Sequence, residues 1–387
     1  MIDQWFFNGA DIHGNPLALA VQDGILVSIT AQQTPPAEAR QTLDLQGRVV
    51  LPALVDGHIH LDKSFVGDRW HPHMPAASLK ARLAAEKTQL ASARPIAERA
   101  DALVRQAISF GTQAMRCHVD VDATTGLRNL QAVAQVREQW RDRVDIELVA
   151  FPQAGVMSCP GTADVLEAAM NAGADVIGGI DPTVFDGDAQ GQLDVIFNIA
   201  ERHGAKVDIH LHEPGEQGLA QLTEIARRTH ERKLEGRVAV SHAYSLGEVT
   251  EAQARRTADT LAQAGVSIMT NAPGDRPFPS IKLLRAAGVR VFAGNDNIQD
   301  AWWPYGNGDM LQRTMLIGYR SGFYTDEDLL LALDMATHAA AGVLGLQGYG
   351  LSVGHKANFV AVRAANGAQA VATAPADRWC VRNGVVV

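Results

Sequence analysis

The segment VVLPALVDGHIHLDK, residues 49–63, ends an apolar run with two histidines that are one residue apart. In a β-strand alternate side chains point to the same face, so His58 and His60 can converge on one point. Two converging imidazoles form half of a metal site. A pair of surface histidines on a half-buried strand is the simpler alternative, and the rest of the chain has to decide between the two.

The composition limits the class of protein. The chain has 387 residues, enough for one large α/β barrel or two ordinary domains. Its net charge of −9, with no cluster of Lys and Arg, argues against a nucleic-acid partner. Three scattered cysteines favour a reducing compartment, and no signal peptide or membrane-spanning apolar stretch is found. We therefore expect a cytoplasmic protein with a small-molecule partner and no membrane partner.

Both ends of the chain consist of short apolar runs separated by turn residues. Near the N-terminus, Asp23-Gly24 between two such runs predicts a hairpin. Near the C-terminus, the same pattern predicts strands at residues 358–362, 370–372 and 379–387. We predict that residues 1–52 and 353–387 form one small β-sandwich domain built from both termini.

The middle of the chain, residues 53–352, alternates apolar runs with segments of helical periodicity. Eight strand-and-helix units predict a (β/α)8 TIM barrel. A doubly wound open sheet is the alternative, but no Gly-x-Gly-x-x-Gly follows an early strand. The predicted strands lie near residues 50–60, 112–120, 145–153, 175–181, 206–212, 237–241, 266–271 and 289–295.

Polar side chains recur where the predicted barrel strands end, which is the face that carries the active site in such barrels. Besides the first strand, they follow the third, fifth, sixth and eighth strands. Any one of these positions could be an ordinary polar strand end, but their coincidence at one face indicates a site. The residues are Phe151 and Gln153, His210 and Glu213, Ser241 and His242, and Asp296 and Asn297.

This order of motifs resembles the amidohydrolase superfamily. Phe151-Pro152-Gln153, His210 with Glu213 three residues later, and Asp296 followed by Trp302 are similar to cytosine deaminases. Lys63 is more similar to N-isopropylammelide isopropylaminohydrolases. The chain also has Asn297 where cytosine deaminases have a second aspartate, which changes the charge beside the substrate ring.

The resemblance implies roles for these residues. One divalent ion, Zn²⁺ or Fe²⁺, would be held by His58, His60, His210 and Asp296. No lysine ends the third or fourth predicted strand, which favours one ion over two. The implied catalytic residues are Glu213 as proton shuttle, His242 as the group that orients the attacking water, and Asp296 as proton acceptor. The implied substrate contacts are Gln153, Phe151, Trp302, Lys63 and Asn297.

Three functions remain open at this point. The leading hypothesis is a deaminase that replaces an exocyclic amine of cytosine or a related pyrimidine with oxygen and releases ammonia. Hydrolysis of an N-substituted aminotriazine or a cyclic amide is the alternative within the same class. A catalytically silent barrel scaffold is the alternative of a different class. In either enzyme the partner would be a small nitrogen heterocycle, and we expect a homo-oligomer.

Some polar residues have no single interpretation. Lys63 could contact substrate or simply pair with a nearby acid such as Asp62. His118 and His212 could contact substrate or support the residues that do. His71 and His73 lie in a proline-rich loop, which predicts a mobile lid or a surface position.

Overall fold

The computed structural model describes residues 2–35, 38–73, 75 and 79–387, and this part of the chain contains sixteen strands and thirteen helices. The strands are β1 (Ile2–Ala10), β2 (Pro16–Gln22), β3 (Ile25–Thr30), β4 (Ala39–Asp44), β5 (Val49–Pro52), β6 (Leu54–Ile59), β7 (Thr112–Asp120), β8 (Asp145–Phe151), β9 (Val176–Ile180), β10 (Lys206–Leu211), β11 (Val238–His242), β12 (Ser267–Thr270), β13 (Val291–Ala293), β14 (Phe359–Val362), β15 (Arg378–Arg382) and β16 (Val385–Val386). The helices are α1 (Leu79–Ala91), α2 (Ile96–Ser109), α3 (Arg128–Trp140), α4 (Thr162–Asn171), α5 (Ala189–His203), α6 (Gly215–Glu231), α7 (Ser245–Glu248), α8 (Glu251–Gln263), α9 (Ile281–Ala286), α10 (Met310–Arg320), α11 (Asp326–Met335), α12 (His338–Leu344) and α13 (Gly367–Thr373).

Strands β6 to β13 form one parallel sheet in chain order. A bridge between Ile59 and Asp296 joins the first strand to the end of the last, and the Asp296 N–H donates to the His58 carbonyl at 2.7 Å. Helices connect the strands, so both faces of the sheet are covered and most strand residues are buried. The predicted (β/α)8 barrel is confirmed.

The run that was predicted as one first strand divides into two strands. Strand β5 ends at Pro52 and pairs with β14, whereas β6 begins at Leu54 and enters the barrel. Proline has no N–H with which to continue a ladder, so the hydrogen-bonding pattern can change there. One apolar stretch of the sequence therefore contributes a strand to each of the two sheets.

The strands near the two termini form a second sheet in the order β16-β15-β14-β5-β1-β2-β3, with β4 paired to β1. Phe6 and Phe359, from opposite ends of the chain, meet edge to face at 5.1 Å between ring centroids in its core. The hairpin predicted at Asp23-Gly24 is present, and both residues have positive φ, 53° and 76°.

One predicted strand is wrong. Residues 370–372 lie in helix α13, where the Asn366 side chain caps the helix by accepting from the Gln369 N–H at 2.8 Å. A short apolar run has the same pattern in a strand and in a buried helix, so periodicity could not separate the two. The segment after it does form strands, β15 and β16, joined at Asn383-Gly384.

Contacts divide the chain into two compact units. One comprises the chain up to Asp56, residues 105–114 and the chain from Gly308 onward, and the other comprises residues 57–104 and 115–307. The first unit contains helices α10 to α13 as well as the terminal sheet, and the second contains every predicted site residue. The domain boundaries at residues 52 and 353 stay a prediction. Within the described residues, no helix combines the length and the apolar character needed to cross a membrane.

Candidate metal centre

His58, His60 and Asp296 present three ligand atoms at one end of the barrel. The His58 and His60 Nε2 atoms lie 3.3 Å apart, and Asp296 Oδ1 lies 3.5 Å from the first and 3.4 Å from the second. Ligands about 2.0–2.1 Å from a tetrahedral ion are roughly 3.3–3.4 Å from one another. The spacing of these atoms is therefore that of neighbouring ligands on one metal ion.

His210 completes this set from strand β10. Its side chain is buried and offers a ligand atom within 4.8 Å of those of His58 and His60. Neither of its ring nitrogens has a hydrogen-bond partner among the described residues. A buried imidazole without a partner is costly, and a bound cation would satisfy it. The residues present thus fit a divalent ion.

The hydrogen bonds behind His58 and His60 set which ring nitrogen carries the proton. His60 Nδ1 is 3.1 Å from the His118 carbonyl oxygen, which can only accept, so Nδ1 carries the hydrogen. His58 Nδ1 is 2.9 Å from Ser241 Oγ, whose hydroxyl donates to Asp208 Oδ1 at 2.7 Å. In both rings the lone pair that can bind a metal is consequently on Nε2.

Burial favours the neutral forms of His60 and His210. It lowers the pKa of His60 to about 4 and holds the pKa of His210 well below its usual range, where the neighbouring His58 adds to the effect. For Asp296 burial acts to raise the pKa, but His242, His58 and His60 outweigh it and hold that pKa well below its usual range. The centre therefore offers neutral nitrogens and an ionised carboxylate, the forms in which these groups bind a divalent ion.

A series of ion pairs lies behind the Ser241 hydroxyl that contacts His58. Asp208, which accepts from Ser241, is fully buried and also accepts from Arg116 Nη1 at 2.9 Å. Arg116 Nε in turn donates to Glu147 Oε2 at 2.6 Å. Sequence analysis missed these residues, although a signal existed: Asp208 stands two positions before His210, on the same face of an otherwise apolar strand.

Replacing Ser241 with alanine should weaken metal binding while the fold is kept. The change removes the hydroxyl that His58 Nδ1 contacts, and losing such a supporting group costs about 10–100-fold in metal affinity. Competition with a chelator measures the effect. Ser245→Ala is the matched control, because Ser245 Oγ is also buried but has no hydrogen-bond partner in the described part of the chain. Equal metal affinity in the two variants would contradict this role.

Glu213 follows the end of strand β10, three residues after His210, and has one carboxylate oxygen held and one free. Its Oε1 accepts from the Thr183 N–H at 2.5 Å and from the Val184 N–H at 2.9 Å. Its Oε2 is buried and has no partner among the described residues. Burial raises the pKa of Glu213, which favours the retention of a proton on its carboxyl group.

His242 ends strand β11 with its ring 5.3 Å from that of His58 and 5.2 Å from that of His210. Its ligand atom lies within 4.8 Å of those of His58 and Asp296, so it faces the centre. His212 stacks on His242 at 4.5 Å, and its Nδ1 lies 2.8 Å from Asp181 Oδ2. The structure thus places His212 as a support for His242, while substrate contact stays a prediction.

The backbone is strained at these strand ends. His242 has a φ of 76°, Asp296 a φ of 61° and Asp181 a φ of 31°, in the left-handed region that non-glycine residues seldom adopt. Such conformations persist where the surrounding structure imposes them, and they cluster at functional sites. Here they turn three polar side chains toward the same end of the barrel.

Lys63 is buried beside the predicted substrate contacts. Its Nζ lies 2.5 Å from Gln153 Oε1, 2.9 Å from Asp120 Oδ1 and 5.2 Å from the centre of the Phe151 ring. Burial acts to lower the pKa of Lys63, but Asp120 and the carboxylates of Glu86 and Asp62 outweigh it and raise that pKa. The direction of this shift favours the ammonium form of Lys63, whose nearest carboxylate is that of Asp120 rather than Asp62, although burial also raises the pKa of Asp120.

Phe151 contacts both Lys63 and a histidine of the metal centre. Its ring stacks on that of His210 with centroids 4.0 Å apart. His118, the other histidine of uncertain role, stacks on His58 at 3.8 Å and lies with Nε2 3.7 Å from Asp208 Oδ2. It therefore backs the metal ligands, as expected for a supporting residue.

Trp302 and Asn297 are each held by an acid that sequence analysis missed. The Trp302 indole N–H donates to Glu86 Oε1 at 2.7 Å, and Asn297 Nδ2 donates to Asp300 Oδ2 at 2.6 Å. Glu86 lies on helix α1, where nothing in the local sequence separates it from solvated acids. Trp302 and Asn297 are partly exposed, whereas both acids are buried.

The loop with the second pair of histidines lies against this region. His71 is buried and its ring stacks on that of Phe65 at 4.0 Å, while His73 Nε2 lies 2.5 Å from the Asp300 carbonyl oxygen. The surface interpretation is therefore wrong for His71, because its ring packs on another aromatic ring. A lid role for this loop stays a prediction.

Comparison with known proteins agrees with this geometry. The sequence model of the amidohydrolase family matches residues 41–387. The chain belongs to the amidohydrolase family. The predicted resemblance is thus confirmed, and the chain is a hydrolase of a metal-dependent family.

Three similar proteins cover nearly the whole chain. The structure of N-isopropylammelide isopropylaminohydrolase from Burkholderia multivorans is 38% identical with a TM-score of 0.95, covering 100% of this chain and 98% of that one. The structure of 5-methylcytosine deaminase from Klebsiella pneumoniae is 28% identical with a TM-score of 0.88, covering 99% and 97%. N-isopropylammelide isopropyl amidohydrolase from Pseudomonas sp. (strain ADP) is 32% identical over 360 residues, 90% of this chain and 88% of that protein.

Proposed function

We propose that this protein is a metal-dependent aminohydrolase that removes an alkylamino group from an oxygenated triazine ring and leaves an oxygen in its place. The observation that carries the proposal is the Lys63 ammonium, fixed between Gln153 and Asp120 beside Phe151. The similarity to two enzymes named for N-isopropylammelide supports the same substrate class.

Lys63 suits a ring that carries oxygen substituents. An ammonium has three N–H donors; Gln153 Oε1 accepts from one of them, and Asp120 Oδ1 lies 2.9 Å from Nζ as an ion-pair partner without hydrogen-bond geometry. A remaining N–H can donate to a ring oxygen. A charged donor in a buried site favours oxygens with high electron density, such as those of a dioxotriazine, over a bare apolar edge. Phe151 and Trp302 would wall the ring on either side.

We propose that His58, His60, His210 and Asp296 hold one zinc or iron(II) ion. When bound, such an ion supplies Lewis-acid chemistry and lowers the pKa of water to about 7 in well-studied cases. His242 would orient the attacking water, and Asp296 would take its proton. Asp296 Oδ2 accepts from Asn271 Nδ2 at 2.8 Å, which holds the carboxylate in place.

Glu213 would deliver a proton to the substrate through its free Oε2. The oxygen of water forms a bond with the ring carbon, the bond from that carbon to the exocyclic nitrogen breaks, and the nitrogen leaves as an alkylamine after gaining a proton. Water thus supplies the new ring oxygen. The proton that Asp296 takes from the water balances the proton that Glu213 gives to the leaving nitrogen.

A pyrimidine deaminase is the second candidate. The segment Phe151-Pro152-Gln153 and the similarity to 5-methylcytosine deaminase favour it. The same residues would act, but the leaving group would be ammonia. Asn297 counts against cytosine itself, because it removes a negative charge beside the ring.

A substrate panel tests the proposal. Purified protein, loaded separately with Zn²⁺ and Fe²⁺, is given a dioxotriazine bearing an isopropylamino group, the same ring bearing an amino group, cytosine and 5-methylcytosine. We expect release of isopropylamine at the highest kcat/KM. His210→Ala, purified in the same way, is the control for contaminating activity and should release no amine.

Two results would decide against the proposal. Release of ammonia from the pyrimidines with no alkylamine from the triazine would establish the second candidate. No amine from any compound, in protein that holds one ion per chain, would refute both enzymes and favour a scaffold.

A further inference from the structure

Asp300 is a buried carboxylate whose two oxygens are both occupied. Its Oδ1 accepts from the backbone N–H groups of Trp302 at 2.8 Å and Trp303 at 2.9 Å. Its Oδ2 accepts from Asn297 Nδ2 at 2.6 Å. The side chain is thus locked to its own loop and directs its remaining oxygen at Asn297.

An ionised carboxylate can only accept hydrogen bonds, so the Asn297 amide must turn its NH₂ group toward Asp300. The amide oxygen then points away from Asp300. Asn297 is partly exposed, and among the described residues its oxygen has no hydrogen-bond partner. Asn297 directly follows Asp296, a residue of the candidate metal centre, and is itself one of the implied substrate contacts.

We propose that Asp300 is a positioning residue that makes Asn297 present its amide oxygen, rather than its NH₂ group, to the departing amine. This inference rests on the proposed function. The leaving nitrogen gains a proton as the bond to the ring carbon breaks, so its N–H groups become stronger donors in the transition state. An acceptor at this place stabilises the transition state more than the ground state, whereas an NH₂ group there would oppose it.

The groups that face Asp300 make this arrangement sensitive to pH. Burial raises the pKa of Asp300 to about 7, the bonds from Asn297 and Trp303 act to lower it, and the charge of Glu86 on helix α1 acts to raise it. The ring of His73 also faces Asp300, where it contacts the backbone carbonyl oxygen of Asp300. Once protonated, Oδ2 could donate to the amide oxygen and turn the NH₂ group toward the substrate. Activity should therefore fall as the pH is lowered through about 7.

Asp300→Asn tests the proposal directly. The amide introduced at position 300 can still accept from the two backbone N–H groups, but its NH₂ group then faces Asn297 and forces that amide to reverse. We expect at least about a tenfold loss, mainly in kcat with little change in KM, and the loss of the activity limb near pH 7.

The double variant N297D/D300N should restore the missing acceptor. The NH₂ group introduced at position 300 donates to the carboxylate introduced at position 297, whose second oxygen again faces the substrate. Asp186→Asn is the matched control, because Asp186 is also a buried carboxylate that accepts from backbone N–H groups and from an amide, Gln192 Nε2 at 2.8 Å. The control should keep the wild-type pH profile.

A second readout does not depend on turnover. The side-chain NH₂ signal of Asn297, assigned by its loss in N297D, should shift with pH in the wild type as Asp300 ionises and should not do so in D300N. A wild-type signal that does not shift with pH would overturn the positioning role. An unchanged kcat in D300N would overturn it as well. A titrating signal in a protein that releases no amine would instead refute the proposed function, while the orientation of the Asn297 amide by Asp300 would stand.

Discussion

Replacing Glu213 with glutamine should lower kcat by about 10²–10⁴-fold without changing metal content. The Thr183 and Val184 N–H groups must keep an acceptor at the Oε1 position, so the new amide can only place its NH₂ group where Oε2 lies now. The substitution is therefore isosteric and leaves the loop intact. It removes the one thing a proton shuttle needs, which is an oxygen that can hold and release a proton.

Glu248→Gln is the matched control for this experiment. Glu248 also accepts a backbone N–H with a carboxylate oxygen, from Gly215 at 2.9 Å, but it is exposed to solvent. It should keep wild-type kcat. Metal content is measured on both variants by elemental analysis, and kcat with the best substrate of the panel. Full activity in Glu213→Gln, with the metal present, would show that another group delivers the proton.

The grouping of the candidate metal-binding residues could be predicted from the sequence because it follows from strand geometry. A period of two places His58 and His60 on one face, and the parallel order of the barrel brings the ends of β6, β10 and β13 together. Apolar runs mark those strands well, so the residues that follow each run were identified correctly as neighbours. Lys63 and Gln153 were predicted to lie near each other for the same reason, because each follows a barrel strand.

The residues that hold the site could not be predicted in the same way. Glu86 reaches Trp302 from a helix whose position depends on tertiary packing, and no local pattern marks it. Asp300 lies in an irregular loop where aspartate usually serves only as a turn residue. The helix at residues 367–373 was missed because a short apolar run gives no period to measure.

Replacing Arg116 with methionine should cost about 3–5 kcal/mol of unfolding free energy, the largest stability effect we expect in the barrel. The guanidinium and its partner Asp208 are both inaccessible to solvent, with side-chain exposures of 1% and 0%. Methionine fills a similar volume but leaves Asp208 as a buried charge without its cation. Denaturant unfolding of the metal-free protein measures the loss, so that metal binding does not contribute to it.

Arg228→Met separates this effect from the loss of an arginine as such. Arg228 has a similarly buried side chain, but when it is gone its partner Asp194, 58% exposed, can be solvated, and its other partner Glu224, 19% exposed, keeps its ion pair with Arg227. We expect a cost of about 1 kcal/mol or less for that variant. Equal costs in the two variants would mean that Asp208 is not an uncompensated charge after Arg116 is removed.

The double variant R116M/D208N tests whether the charge of Asp208 affects metal binding. With a neutral amide at position 208 no charge is left buried, so much of the lost stability should return. The Ser241 hydroxyl can still donate to the amide oxygen, and His58 keeps its partner. Metal affinity should therefore stay close to that of the wild type while stability returns. If stability returned but metal affinity fell below that of the wild type, the ionised carboxylate itself, and not only its hydrogen bond, would be what makes His58 a strong ligand.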